Sequence, residues 1–298
     1  MSIVRYNAVG DHPAPEAPGA LEAALTRLPP EAPLVILIHG YKYSPHSATR
    51  NPHDHIFSLT PPRGGRSTSW PRHLGLGRGA PGEGLCVAFG WDAWGTIWAA
   101  AARAHTAGRA LSRLIDAIGA RRAGPVDVFA HSLGVRVGLG ALPGLAPGRV
   151  GRMILLSGAE FQARAGTALA TPAGRTAEIV NVTSRANRAF DLMVEGLLQL
   201  PWAGGRALGA GIGAAPGLWR DLDIDDPEVR AHLALRGFPT RPPAHSVCHW
   251  SGYLRPGLFR LYRAILRDRL PLSILPPSPE RDGADARPAL WGAPNLPS

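Results

Sequence analysis

Short runs of consecutive apolar residues, each closed by glycine, histidine or serine, recur from residue 34 to residue 184. "LVILIHG" (34–40), "LCVAFGW" (85–91), "VDVFAH" (126–131), "RMILLSG" (152–158) and "EIVNVTS" (178–184) hold few polar positions. Strands that alternate apolar and polar residues bury one face, whereas unbroken runs of this kind suit strands buried on both faces of a parallel sheet. Between the runs the period lengthens towards 3.6. "GALEAALTRLPP" places Leu21, Leu25 and Leu28 at helical spacing and stops at its prolines. An Ala-rich helix is predicted over 98–121, with Ile97, Ala101, Ala104, Leu111, Leu114, Ile115 and Ile118 supplying its apolar face. "SLGVRVGLGAL", "AFDLMVEGLLQL" and "RPGLFRLYRAILRDRL" read as further helices, the last with Leu258, Leu261, Tyr262, Ile265 and Leu266 on one side. Alternation of strand and helix implies an α/β architecture, a mostly parallel sheet flanked by helices.

Three stretches break the pattern. Residues 41–84 are rich in Pro, Gly, His and Ser, too long for an ordinary connection, and read as a functional loop or an irregular cover. Residues 201–243 are rich in Gly and Pro and read as a lid-like or cover segment. Residues 271–298 form a Pro-rich C-terminal tail, disordered or strapped over the surface by Trp291. The first ten residues read as an edge strand followed by a Pro-rich connection. No repeat is visible, and one domain spanning 1–270 is expected.

Composition narrows the function classes. The formal charge is +10, almost wholly arginine, since Lys42 is the single lysine. The arginines are scattered singly or in pairs, without the basic run that nucleic-acid binding favours, so no nucleic-acid partner is expected. No apolar stretch approaches the length of a membrane span. The opening "MSIVRYNAVGDHPAP" has no charged-then-apolar leader pattern, so cytoplasmic residence is the default expectation. Cys86 and Cys248 make no disulfide framework.

The chemistry centres on Ala130-His131-Ser132-Leu133-Gly134, which lies where a buried strand ends and a helix begins. A serine hydroxyl needs an adjacent base and an exposed, constrained position to act as a nucleophile. Gly-x-Ser-x-Gly turns provide that position, and Ala130 in place of the first glycine is still small. Ser132 could equally serve as an ordinary N-cap. Upstream, "VILIHGYKYSP" ends another buried strand with His39-Gly40-Tyr41.

With these two motifs the chain resembles the α/β-hydrolase superfamily. It is most similar to a little-characterised bacterial branch carrying "HGYKYSP", "PHDHI", "FGWDAWG", "AHSLG", "NVTSRANRAFD" and "HWSGYLRPGLF", over roughly residues 30–270. The resemblance implies a single α/β-hydrolase domain and a serine hydrolase (esterase- or lipase-like) that cleaves a small-molecule carboxylic ester through an acyl-enzyme. Acyl transfer to another acceptor, or ligand or partner binding without catalysis, are the alternatives. It implies Ser132 as nucleophile, backbone N–H groups of Tyr41 and Leu133 as the oxyanion hole, and the chain order Ser, acid, His. His39 is expected to order its loop rather than react. In the branch an acid follows the asparagine of "SRANRAFD"; here Arg188 stands there. Asp191 is then the expected acid, with Glu160 or Asn187 as alternatives and a helix cap as its competing role. His249 is the expected base and His245 its rival; His232 reads as structural. No strand is evident before either histidine.

No cofactor is expected. His46, His53, Asp54 and His55 lack a completed metal-ligand spacing. Trp91, Trp94 and Trp98 suit either an acyl pocket or core packing, and "GAGIGA" (209–214) has no strand leading into it as a dinucleotide site would need.

Overall fold

A computed structural model describes residues 3–62, 68–80, 82–198, 205–212 and 218–278. Among them eight strands join in one sheet: β1 (Ile3–Val9), β2 (His12–Pro15), β3 (Leu34–Ile38), β4 (Leu85–Gly90), β5 (Val126–His131), β6 (Val150–Leu156), β7 (Glu178–Thr183) and β8 (Leu218–Asp223). Their spatial order is β2-β1-β4-β3-β5-β6-β7-β8. Only β1 and β2 pair antiparallel; every other neighbouring pair is parallel. The helices are α1 (Ala20–Arg27), α2 (Trp70–Leu74), α3 (Ile97–Gly119), α4 (Leu133–Ala141), α5 (Gln162–Leu169), α6 (Pro172–Thr176), α7 (Arg188–Leu198), α8 (Pro227–Leu235), α9 (Ser251–Leu254) and α10 (Leu258–Leu266).

The unbroken apolar runs are explained by a sheet covered on both sides. Successive strand residues face opposite ways. Ile36, Ile38, Val87, Val128 and Ala130 therefore pack in one core with residues of α1, α3, α4 and α5. Val35, Leu37, Cys86, Ala88 and Phe129 pack in the other with residues of α2, α8 and α10. Close approach of α3 to α4 relies on Gly108, where an added Cβ would lie 3.0 Å from the Gly140 backbone.

The described residues of the long 41–84 segment cover the second face. Ile56, Phe57, Trp70, Leu74 and Leu76 are buried in that core. Trp70 meets Phe129 of β5 and Tyr253 of α9 at centroid distances of 5.2 and 5.3 Å. Aromatic anchors and the short helix α2 thus hold the segment down in place of a long regular helix.

Two strands escape the sequence pattern. The expected connection after β1 contains β2, so β1 is not an edge. The segment expected to be a lid contains β8, which completes the sheet beside β7. "LWRDLD" carries Arg220, Asp221 and Asp223 inside the strand and so shows no apolar run. Asp221 is nonetheless buried, accepting hydrogen bonds from Asn181 Nδ2 (2.8 Å) and Trp219 Nε1 (2.9 Å). Residues 201–204 and 213–217 of that segment, with the last two residues of "GAGIGA", lie outside the described residues. Of the tail, Leu272 and Leu275 are buried against the second face; residues 279–298, with Trp291, lie outside the described residues. No described helix is long and apolar enough to cross a membrane.

Candidate active site

The chain runs from β3 outward to β4 and then returns past β3 to β5, so the direction of winding reverses between β3 and β5. Crevices at the carboxyl ends of strands form at such reversals. His39 follows β3 there, and Ser132 follows β5.

Ser132 sits between β5 and α4 with φ 57° and ψ −125°. A non-glycine residue seldom adopts such a backbone, and it is held here from both sides. Ser132 N–H donates to Leu156 O (3.0 Å), and its carbonyl accepts from Val135 and Ala159 N–H (3.0 and 3.1 Å). Its neighbours are small because nothing larger fits. A Cβ on Gly40 would lie 2.7 Å from Ser132 Cβ, and one on Gly134 would lie 2.7 Å from Ile38 O and collide with the His39 carbonyl. The hydroxyl does not serve as a helix cap. Ser132 occupies the N-cap position of α4, yet its side chain makes no capping hydrogen bond.

The hydroxyl is engaged by a histidine instead. His249 Nε2 lies 2.8 Å from Ser132 Oγ, and His249 Nδ1 lies 2.6 Å from Asn187 Oδ1. Asn187 Nδ2 donates to Asp191 Oδ1 at 2.8 Å. A carboxylate can only accept, so the amide turns its NH₂ to Asp191 and its oxygen to the imidazole. Nδ1 then carries the ring proton, and Nε2 is left to accept from the serine hydroxyl. Asn187 and Asp191 stand one helical turn apart at the start of α7, which puts them on the same side of the chain.

This geometry corrects the expected acid. Asp191 does not touch His249; Asn187 intervenes, because the shorter path from the loop end to the imidazole belongs to residue 187. Nor is Asp191 a cap, since α7 already begins at Arg188. Glu160 is removed from contention, being buried beside Arg136 (3.0 Å) and accepting the Phe161 N–H. His245 is exposed and lines a separate depression with Arg241 and Cys248. His232 bonds to the Ile274 carbonyl (2.8 Å), in keeping with a structural role.

Burial sets the charge states. It holds His249 well below the usual histidine pKa, with His131 adding to the effect, so the ring is neutral at pH 7. Burial, and then Glu195, push Asp191 up to about 7, against the opposing Asn187 hydrogen bond and the Arg188 charge.

Two neighbouring histidines order the site. His39 is fully buried, which takes its pKa down to about 3. Its Nε2 accepts from Trp91 N–H (3.0 Å), so Nδ1–H donates to Gly40 O (2.9 Å) and fixes the His39-Gly40-Tyr41 turn. Leu133 N–H is at the first position of α4, where a helix offers it no internal acceptor. Tyr41 Oη donates to Gly95 O (2.6 Å). His131, whose role the sequence reading missed, pairs its Nε2 with the backbone carbonyl of His249 (3.0 Å).

A buried polar network joins the two loops that bring His249 and Asn187 together. Cys248 N–H donates to Ala186 O (2.8 Å). Ser251 Oγ donates to Ser184 Oγ (3.1 Å), which donates to Asp225 Oδ2 (2.8 Å), and Asp225 pairs with Arg255. Ser184 and Ser251 stand in conspicuous motifs, but no spacing in the sequence announces that they meet.

A cleft of about 670 Å³ is lined by Tyr41, Lys42, Arg50, Trp94, Trp250 and Tyr253, among others. Trp91, by contrast, is core, stacked on His39 at 5.6 Å, and exposed Trp98 donates to Leu197 O. Among the described residues no three His, Cys, Asp or Glu side chains gather as a metal site would need. His53 meets Asn7 Oδ1 (2.8 Å) and His55 meets Thr49 O (2.9 Å). Cys86 and Cys248 are free thiols. The chain matches no family model and no curated protein.

Proposed function

We propose that this protein is a serine hydrolase that cleaves a small-molecule carboxylic ester through an acyl-enzyme. One observation carries the reading: Ser132, on a positive-φ turn, has its Oγ 2.8 Å from a neutral imidazole whose other nitrogen is held at 2.6 Å by Asn187. The sheet order and the glycines packed around the turn support the α/β-hydrolase resemblance.

In this reading Ser132 Oγ attacks the ester carbonyl while His249 Nε2 takes the hydroxyl proton. Negative charge grows on the carbonyl oxygen, towards which the N–H groups of Leu133 and Tyr41 serve as donors. His249 returns its proton to the departing alcohol oxygen, leaving an acyl-serine. Water then repeats the attack, losing its proton to Nε2, and the serine leaves with that proton. During both steps the imidazolium is oriented by Asn187 Oδ1, and Asp191, where it is ionised above pH ~7, polarises the amide from behind.

The test is labelling with a fluorophosphonate probe, alongside hydrolysis of short 4-nitrophenyl esters. Wild-type protein is expected to label and to turn over ester; Ser132→Ala and His249→Ala should each lose about 10³-fold or more in kcat. A correctly folded wild-type protein that neither labels nor hydrolyses any of these esters would overturn the reading.

A further inference from the structure

We propose that the cleft beside Tyr41 and Trp250 binds a negatively charged group, so that the substrate is an ester bearing a carboxylate on an apolar or aromatic body. The chemistry of this inference rests on the hydrolase reading; the anion site itself does not.

The cleft's walls come from the residues next to both halves of the proposed machinery. Tyr41 carries one expected oxyanion donor, and Trp250 directly follows His249. On the strength of these two neighbours, a group bound between them is assigned to the molecule whose carbonyl would meet Ser132. Tyr41, Tyr43, Trp94, Trp250 and Tyr253 supply apolar ring surface for its body.

The charge of the lining is one-sided. Lys42 and Arg50 are both exposed, and among the described residues no Asp or Glu lines the cleft. Among the described residues neither cation lies within ion-pair distance of a carboxylate, although many of the chain's arginines do, Arg103 with Asp92 close by being one (3.2 Å). Lys42 is also held in an unusual way. It has φ 68°, a left-handed backbone that favours glycine. Its N–H donates to Ala93 O (3.0 Å), and Ala93 N–H donates to Tyr43 O (2.9 Å), which ties the turn to the tryptophan loop. Its Nζ lies 5.7 Å from the centre of the Tyr41 ring. The one lysine of the chain thus stands on a strained, backbone-anchored turn, immediately after the expected oxyanion residue, with no acidic partner among the described residues. A substrate carboxylate would supply that partner.

Matched esters test this. Mono(4-nitrophenyl) glutarate against 4-nitrophenyl pentanoate places the charge on the acyl side; 4-acetoxybenzoate against phenyl acetate places it on the alcohol side. Wild type should favour the acidic member of at least one pair by about tenfold in kcat/KM, two exposed ion pairs contributing severalfold each. The preference should shrink in 1 M NaCl, where screening acts within about 3 Å. It should fall towards one in the double variant Lys42→Gln with Arg50→Gln. Arg236→Gln, at the C-terminal end of α8 and outside the cleft, alters net charge without lining the site and should leave the ratio intact. Binding of the two 4-nitrophenyl esters to Ser132→Ala protein, followed by calorimetry, separates the two readings. Selective binding of the acidic ester that the double variant loses, without turnover in wild type, keeps the anion site and removes the hydrolase. Turnover with no acidic preference in either pair overturns the anion site and leaves the hydrolase standing. An equal loss of preference in Arg236→Gln also overturns it, since bulk charge would then be the cause.

Discussion

In the proposed reaction, Asn187 takes the place where a carboxylate would orient the imidazole. An amide oxygen can hold Nδ1–H in the right tautomer, but it cannot neutralise the imidazolium by its own charge; that falls to Asp191, one hydrogen bond further away. In the proposed reaction the two side chains should therefore contribute unequally. Asn187→Ala is expected to lower kcat by about 10²-fold, within the range of general acid–base contributions. Asp191→Asn should cost roughly tenfold or less, since the orienting bond to His249 survives. Equal losses in the two variants, measured by steady-state hydrolysis, would contradict this division. Asp191 also carries a stability signature. Its folded pKa of about 7 exceeds the ordinary carboxylate value because of burial. The folded state therefore binds the proton more tightly, and the stability this group contributes is full below pH ~4 and lost as pH rises through 7. Removing the charge should help only where the charge exists. Asp191→Asn is expected to raise Tm relative to wild type at pH 8, and to do so less at pH 4, in paired thermal melts.

At the scale of elements, the turn between β5 and α4 is held by backbone bonds and by glycines that admit no Cβ, so Ser132 gains its position from local packing. The base is held differently. His249 belongs to no regular element, and its loop is fixed by Cys248 to Ala186 and by the Ser251–Ser184–Asp225–Arg255 network. Arg255 and Asp225 are both almost completely buried, so removing one leaves the other uncompensated. Arg255→Met is expected to destabilise the fold by about 3–5 kcal/mol. It should also weaken fluorophosphonate labelling of the protein that remains folded, because the loops bearing His249 and Asn187 lose their common anchor. Urea denaturation measures the first effect and labelling rate the second. Unchanged values for both would remove the network from the account.

At the scale of the whole molecule, the long 41–84 segment joins the sheet to the site. Trp70 is fully buried between Phe129 on β5 and Tyr253 on α9, just beyond His249 in the chain. Replacing it by alanine opens a cavity under both. Trp70→Ala is expected to cost about 3–5 kcal/mol by equilibrium unfolding, the range for loss of a large buried aromatic. A loss under 1 kcal/mol would mean that the segment is a loose cover and does not support the second core.

The sequence alone determined the parts whose physics is local. Five central strands were legible because burial on both faces demands unbroken apolar runs. The Ser132 turn was legible because its tight geometry demands small residues at fixed spacing. His249 could be favoured by its place before the last helix, and Asn187 could be counted among the candidates for its partner. Tertiary structure decided what depends on distant segments meeting. β8 went unseen because its buried Asp221 is satisfied by Asn181 and Trp219, a pairing invisible until the strands align. The order His249, Asn187, Asp191 could not be read either. Asn187 and Asp191 lie one helical turn apart, and only the approach of a loop some sixty residues later selects which of them the imidazole meets.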